Sequence, residues 1–195
     1  YSLNVQRVSD DAVSALTLGV TTRGVIAHTG QRDFYTFTLA GDTAVYFDVL
    51  TPNLGFTWSL TGPRGSVVSN LPFNSTDSIS LSGSPRLDLV AGEYTLTIDG
   101  VLDATGDEVG SYAFRLVDLA TAVTLVPGTV VSGQLDPANE TDVYTFDATA
   151  GDQFYLDLQA GQSYDASWRV LDPYGRSIVD PTYLAYGSVT LRNLL

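Results

Sequence analysis

The chain contains no cysteine, no lysine and no methionine, and His28 is its single histidine. Without cysteine it cannot form a disulfide framework, a thiolate metal site or a cysteine nucleophile. Basic residues are scarce, since nine arginines stand against 22 acidic residues and give a net charge of −13. Binding to phosphates needs grouped basic side chains, so we expect no nucleic-acid partner and no attraction to an anionic membrane.

The sequence also lacks the usual signals of catalysis and of membrane insertion. No apolar run approaches the roughly 20 residues of a transmembrane helix. His28 has no Gly-x-Ser-x-Gly motif to pair with, and no glycine-rich loop precedes a helix. The many carboxylates show no context that marks a raised-pKa acid beside an ionised base. We therefore predict a protein that is not an enzyme and does not enter the membrane.

What the chain does contain is an internal repeat. Residues 33–37 (DFYTF) return as 142–146 (DVYTF), 109 positions later. Trp58 returns as Trp168, and the opening residues 1–5 (YSLNV) resemble 112–116 (YAFRL), 111 positions later. A chain cut in this way is typical of a longer tandem array. It predicts a tail of a preceding repeat at 1–18, a complete module at 19–120, and a second module at 121–195 that lacks its closing hairpin.

Alternating apolar and polar residues between frequent turn signals predict an all-β sandwich. Only residues 10–18 could form a helical turn, and they contain few apolar positions. Strands are expected in the first module at 24–28, 33–39, 43–50, 56–61, 65–69, 77–82, 86–90, 93–99 and 111–118. In the second module they are expected at 129–135, 142–148, 152–158, 167–172, 176–180 and 187–192.

The unfinished second module poses a question about its edge. Either residues 1–8 supply a substitute edge strand, or an edge of the second sandwich stays open. Open edges invite pairing with another chain, so an edge-strand or swapped dimer is one expected assembly. The junction near 118–127 is short and contains Leu119, Val123 and Leu125, which predicts a stiff connection.

The order of these signals resembles the bacterial pre-peptidase C-terminal domain family. The resemblance is carried by five motifs at 142–146 (DVYTF), 150–152 (AGD), 172–175 (DPYG), 91–94 (AGEY) and 110–112 (GSY). It departs from that pattern at 62–65 (GPRG), where glycine replaces the aspartate of the turn.

The resemblance implies two tandem jelly-roll-type β-sandwich modules from a secreted or cell-surface bacterial protein. It also implies a non-catalytic accessory role, and some relatives bind calcium near the Tyr-x-Phe strand. Here that position matches Asp142 and, more loosely, Glu140 and Asn139.

Two acidic loops have a composition that suits calcium, which takes carboxylate, carbonyl and amide oxygens. The candidate ligands are Asp136, Asn139, Glu140 and Asp142 in one loop, and Asp103, Asp107 and Glu108 in the other. The alternative is that both loops are solvated turns, in which Asp, Asn and Gly are favoured for backbone reasons. The equivalent loop of the first module, 28–33, supports that alternative because it has one acid and an arginine.

Several aromatic and acidic residues have two interpretations. Trp58 and Trp168 are either core anchors or sugar platforms, and their recurrence favours the core. Tyr174, Tyr183 and Tyr186 either stack on a glycan or peptide, or fill the irregular end of the sandwich. Asp48 and Asp157 lie within apolar strands, so each faces solvent or needs a partner.

The leading hypothesis is a non-enzymatic extracellular repeat that serves as a structural spacer or adhesion element, with calcium as a candidate stiffening ion. Its partners would be the neighbouring repeats of the same chain. The alternative is an accessory domain of a secreted hydrolase, such as a peptidase, that binds a polysaccharide or an extracellular matrix protein. A continuous exposed aromatic patch would favour binding, and polar faces would favour spacing.

Overall fold

The structure is a computed structural model that describes residues 1–5, 7–51, 55–78, 81, 84–100, 108–161, 163–192 and 194. They form two compact units, each drawn from several stretches of the chain. Unit 1 comprises Tyr1–Asp77, Arg86–Thr121 and Gly133–Asp142, and unit 2 comprises Ser78–Pro85, Ala122–Ser132 and Val143–Leu195. The predicted module bounds stay a prediction.

Unit 1 is built almost entirely of strands. Its elements are β1 (Ser14–Ala15), β2 (Thr22–Ile26), β3 (Arg32–Leu39), β4 (Thr43–Val49), β5 (Thr57–Gly62), β6 (Gly65–Pro72), helix α1 (Phe73–Thr76), β7 (Arg86–Leu89), β8 (Gly92–Asp99), β9 (Gly110–Asp118) and a 3₁₀ turn (Leu119–Thr121).

These strands form two sheets that share one core. One sheet has the order β1-β3-β8-β5-β6 and the other β2-β9-β4-β7. The consecutive strands β8 and β9 therefore lie in different sheets, each between two neighbours. All pairs in unit 1 are antiparallel except β1 with β3. The predicted all-β sandwich is confirmed.

Strict alternation explains which face of each sheet is buried. Along β3, Tyr35, Phe37 and Leu39 are buried, while the threonines between them are exposed. Successive side chains of a strand point to opposite faces, so the inner faces of the two sheets meet in one apolar cluster. The ring of Trp58 on β5 stacks on Phe47 of β4 with centroids 4.0 Å apart, which joins the sheets. Trp58 is 2% exposed, so it anchors the core.

Helix α1 holds the polar end of this tryptophan. The indole Nε1 of Trp58 donates to Oγ1 of Thr76 at 2.8 Å, and that hydroxyl donates to the carbonyl of Pro72 at 2.8 Å. This single-turn helix was not predicted from the sequence.

Unit 2 also consists of strands, but they are shorter. They are β10 (Val123–Thr124), β11 (Tyr144–Thr145), β12 (Phe154–Leu156), β13 (Ser167–Leu171), β14 (Ser177–Tyr183) and β15 (Val189–Leu191), with a 3₁₀ turn at Leu184–Tyr186. They pair as β10-β11, β12-β15 and β13-β14.

The pairings of unit 1 recur in unit 2. Ser14 of β1 pairs with Tyr35 in parallel, and Val123 of β10 pairs in parallel with Tyr144; both members lie 109 positions later. The β5–β6 pair has its first register shift just after Trp58, and the β13–β14 pair has one just after Trp168. The antiparallel pair β12–β15 resembles β4–β7, although only β12 keeps the spacing: Phe154 lies 109 positions after Val45, whereas its partner Leu191 lies 104 positions after Leu87.

Unit 2 differs where β8 and β9 stand in unit 1. Its described strands form separate two-stranded pairs. No described strand joins β11 to β13, the counterparts of β3 and β5, and none pairs with the other side of β12, the counterpart of β4. Among the described residues of unit 2, no strand takes the interior places that β8 and β9 take in unit 1.

One tryptophan shows a local consequence of the difference between the units. The indole Nε1 of Trp168 is buried and has no hydrogen-bond partner among the described residues. The amide of Phe73 donates to Phe56, and the amide of Leu184 donates to Ala166, which aligns α1 with the 3₁₀ turn of unit 2. That alignment places Gly187 at the position of Thr76, so the hydroxyl that serves Trp58 is missing.

Several predicted elements need correction. The predicted strand at 129–135 is absent, and Val130 is 71% exposed. Its counterpart β2 pairs only with β9 among the described strands. Residues 129–135 have no such partner strand to accept and donate their backbone hydrogen bonds, so they do not form a strand. For the same reason the strands predicted at 142–148 and 152–158 shorten to β11 and β12.

Three further segments were interpreted from the sequence, and the structure describes each of them at least in part. Residues 10–18 form no helical turn, as their few apolar positions indicated; instead β1 pairs with β3, and Leu16 is buried in the core. The described residues among 1–8 lie outside every strand, so they are no edge strand of this molecule. Of the strand predicted at 77–82, residues 79, 80 and 82 lie outside the described residues, and 77, 78 and 81 are not in a strand. No helix among the described residues is long and apolar enough to cross a membrane.

Candidate functional site

The outer face of β4 and β9 carries a buried charge. Alternation along β4 points Val45, Phe47 and Val49 into the core and therefore Asp48 to the opposite face. Asp48 is nevertheless 0% exposed. Burying a carboxylate without partners is costly, so the surroundings of Asp48 identify the site.

Arg115 and the segment Gly133–Asp142, all within unit 1, supply those partners. Asp48 lies directly opposite Arg115 in the β4–β9 register. Nε and Nη2 of Arg115 donate to Oδ2 of Asp48 at 2.9 and 2.5 Å. The backbone amide of Thr141 donates to Oδ1 of Asp48 at 3.0 Å.

Glu140 completes the arrangement on the other side of the guanidinium. Nη1 of Arg115 donates to Oε1 of Glu140 at 2.7 Å, and the amide of Asp136 donates to Oε2 at 3.0 Å. Arg115 also donates to the carbonyl of Thr141 at 3.3 Å. We call Asp48, Arg115, Glu140 and Thr141 the charge clamp, because together they hold the segment against the sheet.

Burial and charge act in opposite directions on the clamp. Burial raises the pKa of Asp48 above its ordinary value, although the hydrogen bonds and charge of Arg115 partly offset this. Burial lowers the pKa of Arg115, but hydrogen bonds and charges from Asp48 and Glu140 outweigh it and raise the pKa overall. The clamp therefore depends on all its members being present together.

The clamp contains one of the four predicted calcium ligands of its loop. Glu140 is engaged as described, while Asp136, Asn139 and Asp142 are exposed nearby on the same segment. Among the described residues, no group of three or more acidic or histidine side chains gathers as a metal site. Calcium at this segment stays a prediction that would draw on backbone and amide oxygens as well.

The second acidic loop lies mostly outside the described residues. Asp103 and Asp107 belong to that undescribed part. Glu108 is half-buried, and its amide donates to the carbonyl of Gly100 at 3.3 Å, which closes the base of the loop. A Cβ at position 55 would lie 2.1 Å from Cγ of Glu108, so Gly55 makes room for that side chain.

The predicted tyrosines separate into two places in unit 2. Tyr183 and Tyr186 form a cluster with Tyr164, with ring centroids 5.7 to 6.3 Å apart and planes inclined by 55 to 90°. The three rings are therefore not coplanar. Tyr174 lies at the β13–β14 turn, 79% exposed, with the Arg176 guanidinium 5.4 Å from its ring centroid. Tyr164 was not among the residues predicted from the sequence to bind a ligand.

A second polar cluster lies inside unit 1 and was not foreseen. Oη of Tyr112 donates to the carboxylate of Asp33 and lies 2.7 Å from Oη of Tyr35. Nε2 of Gln31 donates to the other oxygen of Asp33 at 2.8 Å. A Cβ at position 24 would lie 2.2 Å from Oη of Tyr112, so Gly24 lets the hydroxyls approach the backbone.

This cluster is structural in character. Burial, followed by the hydrogen bond to Asp33, raises the pKa of the Tyr112 hydroxyl, which therefore stays protonated and donates. The carboxylate of Asp33 accepts hydrogen bonds from the side chains of Tyr112 and Gln31. The sequence offered one indication of this cluster. Asp33 and Tyr35 lie in the motif at 33–37, and Tyr112 lies in the motif at 110–112. A shallow groove of about 400 Å³ borders Asp33 and Tyr35.

Solved structures of three bacterial proteins are similar to this chain. The pre-peptidase C-terminal domain of a collagenase from Bacillus anthracis is 16% identical, with a TM-score of 0.39 over 57% of this chain and 99% of that domain. A periplasmic inhibitor of g-type lysozyme from Salmonella Typhimurium is 20% identical, with a TM-score of 0.40 over 54% of this chain and 99% of the inhibitor. A mutant of the Escherichia coli inhibitor is 16% identical, with a TM-score of 0.41 over 56% and 99%.

One of the three is a pre-peptidase C-terminal domain, the family that the sequence motifs resemble. At such low identities and TM-scores, none of the three carries an argument about function. No protein-family model and no curated protein matches the chain.

Removing the arginine of the clamp tests its role in stability. Arg115→Ala leaves the buried carboxylate of Asp48 without its charge partner, and we expect a loss of about 3–5 kcal/mol in the free energy of unfolding. The measurement is urea unfolding followed by Trp58 fluorescence in a Trp168→Phe background. The matched control is Arg32→Ala, whose partner Asp10 is partly exposed, with an expected loss of at most about 1 kcal/mol. Equal losses for both variants would contradict the account.

Proposed function

We propose that this chain is a non-enzymatic β-sandwich module of a larger secreted or surface-attached bacterial protein, in which it acts as a structural spacer or adhesion element. The observation that carries the proposal is the recurrence of one strand pairing at a fixed spacing. The amide of Leu16 donates to Thr36 at 2.8 Å, and 109 positions later the amide of Leu125 donates to Thr145 at 2.6 Å. Units of fixed length that repeat in this way are typical of tandem arrays.

The state of the buried acids supports a structural role. Asp48 is held by Arg115 and by a backbone amide, and Asp33 by Tyr112 and Gln31. A general acid or base needs a proton-transfer path to a substrate, whereas these carboxylates are enclosed by permanent partners. His28 is exposed and lies 3.1 Å from the carbonyl of Ser9.

The extracellular setting of the proposal rests on the family resemblance of the sequence. In that setting the natural partners are neighbouring repeats of the same chain. Calcium binding at the acidic loops would stiffen the module, since an ion that binds only the folded state stabilises it.

A second candidate function is binding of a polysaccharide or a matrix protein. The observation that favours it is the tyrosine cluster of unit 2, in which Tyr164 and Tyr186 are 66% and 68% exposed. Exposed rings grouped together are unusual for a surface with no ligand. Their mutual inclination argues against a flat stacking platform and supports the spacer as the leading proposal.

Co-sedimentation with insoluble matrices separates the two candidates. The spacer proposal expects no retention of the chain on cellulose, chitin, peptidoglycan or collagen fibrils, because inclined rings offer no flat face to a sugar. Retention that is lost in Tyr164→Ala and Tyr186→Ala would overturn it in favour of binding. Tyr155→Ala is the matched control, since Tyr155 is 63% exposed in the same unit and outside the cluster.

Thermal unfolding with calcium and then with excess chelator tests the stiffening ion. If calcium binds the folded state, millimolar calcium should raise the unfolding midpoint by several degrees, and chelator should reverse the rise. Asp142→Asn or Asp107→Asn should abolish the shift and locate the ion. Asp88→Asn, at an exposed aspartate on β7, should leave it intact. An unchanged midpoint in the parent chain would remove calcium from the proposal.

A further inference from the structure

The three rings of the tyrosine cluster in unit 2 form a corner. The ring centroid of Tyr164 lies 5.7 Å from that of Tyr183 and 5.9 Å from that of Tyr186, and the last two lie 6.3 Å apart. The planes of these pairs are inclined by 65°, 90° and 55°, so no two rings are parallel. One group in this corner can lie within about 6 Å of all three centroids, which is the range of a cation–π contact.

Backbone hydrogen bonds join the segments that carry these rings. The amide of Leu184 donates to the carbonyl of Ala166 at 3.0 Å, and the amide of Ala185 donates to the carbonyl of Ser163 at 2.8 Å. These bonds fasten the 3₁₀ turn that follows β14 to the loop at 163–166 that precedes β13. The rings are therefore held near one another without a ligand, which lowers the entropic cost of binding one.

The charge of the surrounding sequence favours a cationic ligand. Residues 153–168 and 177–191, which supply the three rings, contain three aspartates and no arginine, and the chain has no lysine. Elsewhere in unit 2 an exposed ring has a cation from its own turn, because the Arg176 guanidinium lies 5.4 Å from the ring centroid of Tyr174. The stretches around the cluster supply no such cation, and their negative charge attracts one from solution.

The polar side chains next to Tyr164 bond each other. The hydroxyl of Ser163 donates to Oδ2 of Asp165 at 2.9 Å and accepts from the amide of Asp165 at 2.9 Å. A primary ammonium or a guanidinium needs acceptors for its N–H groups, and binding is weakened when they are left unpaired. A quaternary ammonium has no N–H group and a rounded shape, so the faces of aromatic rings are sufficient to bind it.

We infer that Tyr164, Tyr183 and Tyr186 form a binding site for a quaternary ammonium group, such as the trimethylammonium of choline. Tyr164 and Tyr186 are 66% and 68% exposed, so a ligand reaches their rings from solvent. Free choline compounds and the headgroup of phosphatidylcholine share this chemistry. The inference does not rest on the proposed function, because a structural spacer and a matrix-binding module can both carry such a site.

Titration with choline, followed by the NMR signal of its methyl protons, tests the site. Ring faces shift nearby methyl protons upfield, so we expect a saturable upfield shift with a Kd on the order of 1 mM, because exposed cation–π contacts are individually weak. The matched ligand is 3,3-dimethyl-1-butanol, in which an uncharged tert-butyl group replaces the trimethylammonium. It should bind at least about tenfold more weakly, because it lacks the charge that the ring faces attract. Equal affinity for the two compounds would overturn the inference.

Variants of the chain locate the site and separate the ring face from the hydroxyl. Tyr186→Phe keeps the face and should keep the affinity for choline within about twofold, whereas Tyr186→Leu should weaken it at least about fivefold. Tyr155→Leu is the matched control, since Tyr155 is 63% exposed in the same unit and outside the cluster, and it should leave the affinity unchanged. Far-UV circular dichroism checks that each variant is folded. Affinity that is unchanged in both Tyr186→Leu and Tyr164→Leu, or no shift at choline concentrations up to about 100 mM, would overturn the inference.

Sedimentation with lipid vesicles separates the two sources of the ammonium group. Sedimentation with phosphatidylcholine vesicles that is lost in Tyr186→Leu would identify the lipid headgroup as the ligand. Choline binding without such sedimentation would identify a free compound, and either result supports the site. Phosphatidylglycerol vesicles are the control, because they lack the trimethylammonium group and share the negative charge of the chain. Equal sedimentation with both kinds of vesicle would contradict recognition of the ammonium group.

Discussion

The fold depends on the hairpin formed by β8 and β9, because each of its strands is an interior strand of a different sheet. β8 joins β3 to β5, and β9 joins β2 to β4. The hairpin therefore unites both sheets and supplies inward side chains such as Leu96, Phe114 and Leu116 to the core. In unit 2 no described strand takes these interior places, and the described strands form two-stranded pairs, which are at best marginally stable alone. In unit 1 a single hairpin therefore supplies an interior strand to each of the two sheets.

Equivalent aspartates show how this context decides the role of a residue. In unit 1 the outer face of β4 and β9 is covered by the segment Gly133–Asp142, and Asp48 is buried and held in the charge clamp. In unit 2 the equivalent Asp157 stays exposed and accepts hydrogen bonds from Ser188 and Gln159. Charge in unit 1 thus orients a segment of chain, which is consistent with a module whose buried polar groups serve architecture.

The features predicted correctly from the sequence are those that depend on neighbouring residues of one strand. The alternation in β3, β4, β8 and β9 and the core position of Trp58 could be predicted from the sequence, because period-two burial and large aromatic rings dominate these choices. The strand at 129–135 was predicted wrongly, because a strand also needs a partner. The charge clamp was missed for a similar reason: Asp48, Arg115 and Glu140 are far apart in sequence, and only the β4–β9 register and the return of the chain bring them together. The tyrosine cluster was half foreseen, since Tyr183 and Tyr186 are close in sequence and Tyr164 is distant.

Amide hydrogen exchange of the 195-residue chain, followed by peptide mass spectrometry at low micromolar concentration, tests the central claim most directly. If the β8–β9 hairpin is what completes a sandwich, amides of β4 and β5 should exchange only through global unfolding of unit 1. Amides of the equivalent strands β12 and β13 should exchange through local opening, faster by at least about a hundredfold, or ~3 kcal/mol. Equal protection of the equivalent strands in the two units would contradict the account, because unit 2 would then be fully stable without its interior strands.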